Sequence, residues 1–123
     1  MATIKIASTT RVYVDTQKML ELLTDIISAL PKQYRYIIGD RMQSYTIDML
    51  HDIASAYLHR DVGTRIEYLN SLQSKYEVLR TLIKIIIEKH LIQGINKQAS
   101  LIELLDGIGR QSTAWKNSLV KNG

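Results

Sequence analysis

Pro31 is the only proline in a chain of 123 residues that has no cysteine and only six glycines. So little turn chemistry requires a fold built from a few long elements. The proline stands in the stretch LPKQYRYIIGDRMQ, residues 30–43. Proline suits the first turn of a helix and breaks a helix interior. One helix therefore ends near Leu30 and a second begins at Pro31 or Lys32. Lys32, Arg35 and Arg41, interleaved with Tyr34 and Tyr36, then crowd the positive end of a helix dipole. A bound anion would relieve that placement, and a solvated helix start is the competing reading.

The apolar spacing on either side of this joint is helical. Met19, Leu22, Leu23, Ile26, Ile27 and Leu30 follow the i, i+3, i+4, i+7 pattern, with Asp15 or Thr16 as the expected cap. Ile38, Met42, Tyr45, Met49, Ile53 and Ala56 form a second stripe in a helix expected to reach Arg60, with Asp48, His51, Ser55 and His59 facing away. Gly63 marks a turn, with Thr64 as a possible cap. A third helix then runs to about Leu91, with Ile66, Leu69, Leu72, Tyr76, Leu79, Ile83, Ile86 and His90 along its stripe. After Gly94 and Asn96, a fourth helix over 97–119 buries Leu101, Leu104, Leu105, Ile108, Trp115 and Leu119. Short links between long amphipathic helices make antiparallel neighbours, so the expected fold class is all-α, an up-down-up-down four-helix bundle. Residues 1–14 read as an arm, disordered or lying on a neighbour, residues 15–119 as the bundle and residues 120–123 as a tail.

One segment exceeds what a lone bundle needs. In TLIKIIIEKH the apolar side chains cover well over half the helix circumference, against a stripe of roughly 100° or somewhat more for a core-facing helix. Leu82, Ile85 and Ile86 are thus candidates for a subunit interface. Crowding by the N-terminal arm is the alternative.

Catalytic and metal chemistry finds little support. His51, His59 and His90 form no HExxH and no paired ExxH, and Asp48 with His51 is too small a set to hold a metal. Some RNA-cleaving bundles use an arginine, four to six intervening residues, then a histidine; Arg41 to His51 and Arg80 to His90 are longer. No cofactor motif is present. Gly107-Ile-Gly109 lacks the third glycine and preceding strand of a dinucleotide loop. The N-terminus lacks a signal-peptide core, and no stretch is long and apolar enough to span a membrane. Both point to the cytoplasm.

Binding is better supported. The formal net charge is +4 and the sequence pI is about 9.4, a mild preference for polyanions. Arg80 and Lys84 sit at i, i+4, where like charges repel until an anion opposes them. Glu77 and Glu88 could instead neutralise the pair. Arg110 and Lys116 on the fourth helix, with Lys32, Arg35 and Arg41 on the second, complete the candidate nucleic-acid-binding set.

Three of these segments, in order, resemble the accessory variability determinant (Avd) proteins of diversity-generating retroelements. Leu30, Pro31, Lys32, Arg35, Tyr36 and Gly39 match the family's helix junction. Leu79-Arg80-Thr-Leu-Ile-Lys84 is similar to its L-R-x-x-x-[RK] segment, and Ile108, Gly109, Arg110 and Trp115 match its closing E-I-G-[RK]-x-x-G-x-W. Gly107 stands where the family has Glu, and Ser112-Thr113-Ala114 replaces a triplet containing glycine.

The resemblance implies a ring-shaped homopentamer with a basic surface, bacterial or phage-encoded and without catalytic activity. It further implies binding to the retroelement's reverse transcriptase and template RNA, or DNA or an RNA–DNA hybrid, in support of mutagenic reverse transcription. Its rivals are a structural oligomer of the kind encoded by ribosomal-RNA intervening sequences and, less favoured, a small ribonuclease.

Overall fold

The computed structural model describes residues 10–122. Among them are four helical runs and no strand. Helix α1 is Arg11–Ser28. Helix α2 opens with Lys32–Tyr34, passes through a π-helical turn, Arg35–Gly39, and continues as Asp40–Leu58. Helix α3 is Val62–Glu88 and α4 is Ile95–Asn122. Each packs against its sequence neighbour, and α1 closes the square against α4. This is the up-down-up-down arrangement expected from the links. Both the α1–α2 and the α3–α4 links therefore lie at one end.

The core is close to the predicted one, although Leu104, Trp115 and Leu119, expected to be buried, are only partly so. Met19, Leu23, Met42, Met49, Ile53, Leu69, Leu72, Leu79, Ile83, Ile86, Leu101 and Ile108 are essentially inaccessible. One position was misjudged. Ser55, expected to face away, is buried, and so is Asp52. Thr16 and Thr46 also lie inside. Each satisfies its hydroxyl by bonding back to a carbonyl one turn earlier, Val12 O and Met42 O, both at 2.7 Å.

Helix ends also depart from expectation. α1 begins at Arg11, before the expected Asp15 or Thr16, because Val12 belongs to the core stripe. Residues 10–14 are thus bundle rather than arm, and the rest of the proposed arm lies outside the described residues. Nor does α4 stop at 119; it runs on through Asn122. α3 is capped by Asp61 rather than Thr64, the carboxylate accepting from Thr64 N and Thr64 Oγ1 at 2.9 Å each. Those bonds, the backbone one first, hold the Asp61 carboxyl below its ordinary range. His90 is not on the α3 stripe. It lies past the helix end in the left-handed region, φ 55°, where its N–H reaches Ile87 O and Leu91 N–H reaches Ile86 O.

The joint follows the sequence closely. Pro31, φ −54°, immediately precedes α2, and its carbonyl accepts the N–H of both Tyr34 and Arg35 at 3.0 Å. The π turn inserts its extra residue over Arg35–Gly39. Gly39 is where α2 meets α1: a Cβ there would lie 2.7 Å from Ile27 Cγ2.

Candidate nucleic-acid interface

Tyr76 organises the seam between α3 and α4. Its ring lies against the α4 backbone at Gly109, where a Cβ would come within 2.7 Å of Tyr76 Cζ. Its hydroxyl donates to Leu105 O at 2.8 Å. Burial pushes the phenol pKa above its ordinary value; Asp106 adds to the rise, and Arg80 opposes it. Glycine at 109 is thus what allows α3 and α4 to close around a large side chain, leaving a shallow cleft above it.

Two adjoining clefts run along this seam. The first, about 540 Å³, is lined by Tyr76, Arg80, Asp106, Gly109, Arg110 and Thr113, with Ala114 and Asn117 beyond. The second, about 430 Å³, has Ile83, Ile87, Ile102 and Leu105 as an apolar floor and Glu77, Arg80, Lys84 and Asp106 at its rim. Arg80 and Asp106 belong to both. Three of the seven predicted cations, Arg80, Lys84 and Arg110, therefore converge here. Lys116 lies nearby on the same seam, half-buried, with Nζ at 3.5 Å from Gln73 Oε1.

Neutralisation by neighbours is incomplete. Arg80 Nη1 lies 3.8 Å from Glu77 Oε2, and both side chains are more than 60% exposed (62% and 65%), so this pair is weak. Among the described residues, Lys84 and Arg110 have no ion-pair partner, Glu88 included. Arg110 also borders a third cleft, between α1 and α4, with Arg11, Asp15, Lys18 and Glu103.

Lys32, Arg35 and Arg41 are exposed but line neither seam cleft. They open α2 beside Tyr36 and Ile37, which are among the most exposed large apolar side chains of the molecule. Of the seven cations, then, Arg80, Lys84 and Arg110 line the seam clefts and Lys32, Arg35 and Arg41 do not. Of the proposed interface residues, Ile86 is fully buried in the bundle core and is unavailable to a partner. Leu82 and Ile85 are half-buried, and Val78 beside them is 43% exposed.

Sequence reading missed the Asp52–Lys75 pair, 2.9 Å across α2 and α3, in which Lys75 also donates to Ser71. Nothing in the sequence couples positions so far apart. It also missed Asp106, whose place one turn before Arg110 was the available signal. Among the described residues no acidic or histidine cluster could hold a metal, and no helix is long and apolar enough to cross a membrane.

The glycine-backed seam and the proline joint carry the residues of the motifs noted above, and a family model described as bAvd-like matches residues 10–119. The chain belongs to the bAvd-like family. The match starts at the observed start of α1, not at the expected residue 15. It makes the chain an Avd-type protein, from a family of accessory factors of diversity-generating retroelements that are generally non-catalytic. No curated protein matches it.

Proposed function

We propose that this bAvd-like protein is a non-enzymatic accessory factor that binds the reverse transcriptase and template RNA of a diversity-generating retroelement. Family membership over residues 10–119 carries this reading. The exposed Arg80, Lys84 and Arg110 along one seam support its RNA-binding part. Phosphate contacts release counterions, so binding should weaken steeply with salt. Arg80→Ala/Lys84→Ala should weaken template RNA binding and flatten its salt dependence, by roughly 0.7 in log–log slope for each lost contact to a single strand. Filter binding across a salt series reads both. Unchanged affinity and slope would remove these two residues from the site.

The factor assembles as a ring-shaped homopentamer in the cytoplasm of a bacterial or phage-infected cell. Val78, Leu82 and Ile85, on the side of α3 away from the α4 seam, offer an apolar contact for it. Five copies of a +4 chain would gather about +20 on one particle. Light scattering after size exclusion tests the assembly; a monomer refutes it.

A further inference from the structure

The charge of the α3–α4 seam is poorly matched to a duplex. Its two clefts hold three cations, Arg80, Lys84 and Arg110, but also two carboxylates, Glu77 and Asp106. Double-stranded RNA is met through phosphates, 2′-hydroxyls and shape, and a carboxylate offers a phosphate only repulsion. The floors are ill-suited to a duplex as well. One is glycine, alanine and a tyrosine ring; the other is three isoleucines and a leucine. Phosphates have no use for such floors, whereas the largely apolar faces of unpaired bases leave water when they cover them.

Both oddities disappear for one class of ligand. An unpaired base presents exocyclic amino and ring N–H donors that pairing would otherwise occupy, and a carboxylate accepts from them. Asp106 is exposed and has no ion-pair partner among the described residues. It stands on the shared wall between the clefts, opposite Arg80. The clefts, about 540 and 430 Å³, are each of the size that holds a small organic ligand, roughly 300–1,000 Å³. From this juxtaposition we infer that the seam binds single-stranded RNA, seating two successive nucleotides. Their bases lie over the apolar floors, Arg80, Lys84 and Arg110 meet the phosphates, and Asp106 and Glu77 accept from base donors. The inference rests on the RNA-binding reading and specifies the ligand of that site.

The test compares one RNA oligonucleotide, single-stranded or annealed to its complement, by filter binding at fixed salt. The wild-type protein should prefer the single strand by about tenfold or more. Glu77→Ala/Asp106→Ala removes two exposed side chains without touching the core. It should weaken the single strand, strengthen the duplex and so narrow the gap. Ala114→Trp, which fills the first cleft, should weaken the single strand and leave the duplex unchanged; circular dichroism confirms that each variant is folded.

A wild-type protein that binds the duplex as tightly overturns the inference alone, as does a gap unmoved in the carboxylate variant. Binding of neither RNA overturns the proposed function and the inference with it. If Ala114→Trp instead abolishes capture of the tagged reverse transcriptase while RNA affinity is unchanged, the seam holds protein and the inference fails.

Discussion

Gly109→Ala should destabilise the protein, although alanine is the better helix former. In a helix interior the exchange by itself gains about 1 kcal/mol. At position 109 the new Cβ meets Tyr76: it would lie 2.7 Å from Cζ and nearer still to the hydroxyl oxygen. The ring is held in place by its hydrogen bond to Leu105 O, one turn earlier on α4, and by the core. It can move only by giving up that bond, worth about 1 kcal/mol, or by forcing the helices apart, an overpacking cost of about 1–3 kcal/mol. Set against the gain of about 1 kcal/mol, the net expectation is a loss of up to about 2 kcal/mol. Gly107→Ala supplies the control, because a Cβ there meets nothing closer than 3.9 Å. It should gain up to about 1 kcal/mol.

Urea midpoints with unchanged slopes measure both. Tyr76→Phe removes the nearest atom, so Gly109→Ala should cost less in that background, and a double-mutant cycle isolates the difference. The reasoning is refuted if Gly109→Ala gains stability as Gly107→Ala is expected to. It is also refuted if the cycle shows no coupling between the two positions.

Asp52→Ala should cost about 1–3 kcal/mol by urea unfolding. It leaves Lys75 without its carboxylate, although that side chain is 26% exposed and solvent softens the loss. Asp61→Ala should lower the thermal midpoint at neutral pH by removing the α3 cap. The carboxyl pKa is depressed in the folded state, so its contribution is present above the unfolded value. It is lost as pH falls through the folded value. Wild type and variant should therefore converge in thermal melts as the pH is lowered below the ordinary Asp range. A constant difference would exclude the cap as its cause.

Much of this molecule was decided locally and could be read from residue order. Pro31 fixed the joint because its ring permits a helix start and forbids an interior. The 3.6-residue period of apolar side chains set four helices and nearly the whole core, and the shortness of the links set their antiparallel order. Gly39, which the sequence offered as part of the joint's motif, is where α2 approaches Ile27.

Boundaries were less legible where no strong stop signal stood. α1 ran back to Arg11 on the burial of Val12, and His90 fell beyond α3 into the left-handed region. Propensity near a helix end is nearly level, and tertiary contact tips it.

Which cations stand together is a different kind of fact. Arg80 and Arg110 are on different helices, and their shared cleft exists because Gly109 lets α4 close on Tyr76. Lys32 and Arg35, equally basic in sequence, sit in the first turns of α2 and line neither cleft of that seam. Asp52 became an interior ion-pair partner only because α2 and α3 bring Lys75 to 2.9 Å. Local spacing determines what each helix can bury; the rotation and closeness of the helices determine which charges meet. The sequence by itself determined a basic four-helix chain with a marked joint. Only the tertiary structure decided that one glycine-backed seam gathers Arg80, Lys84 and Arg110 together with two carboxylates. Charge separated in the chain acts jointly only after packing brings it within reach.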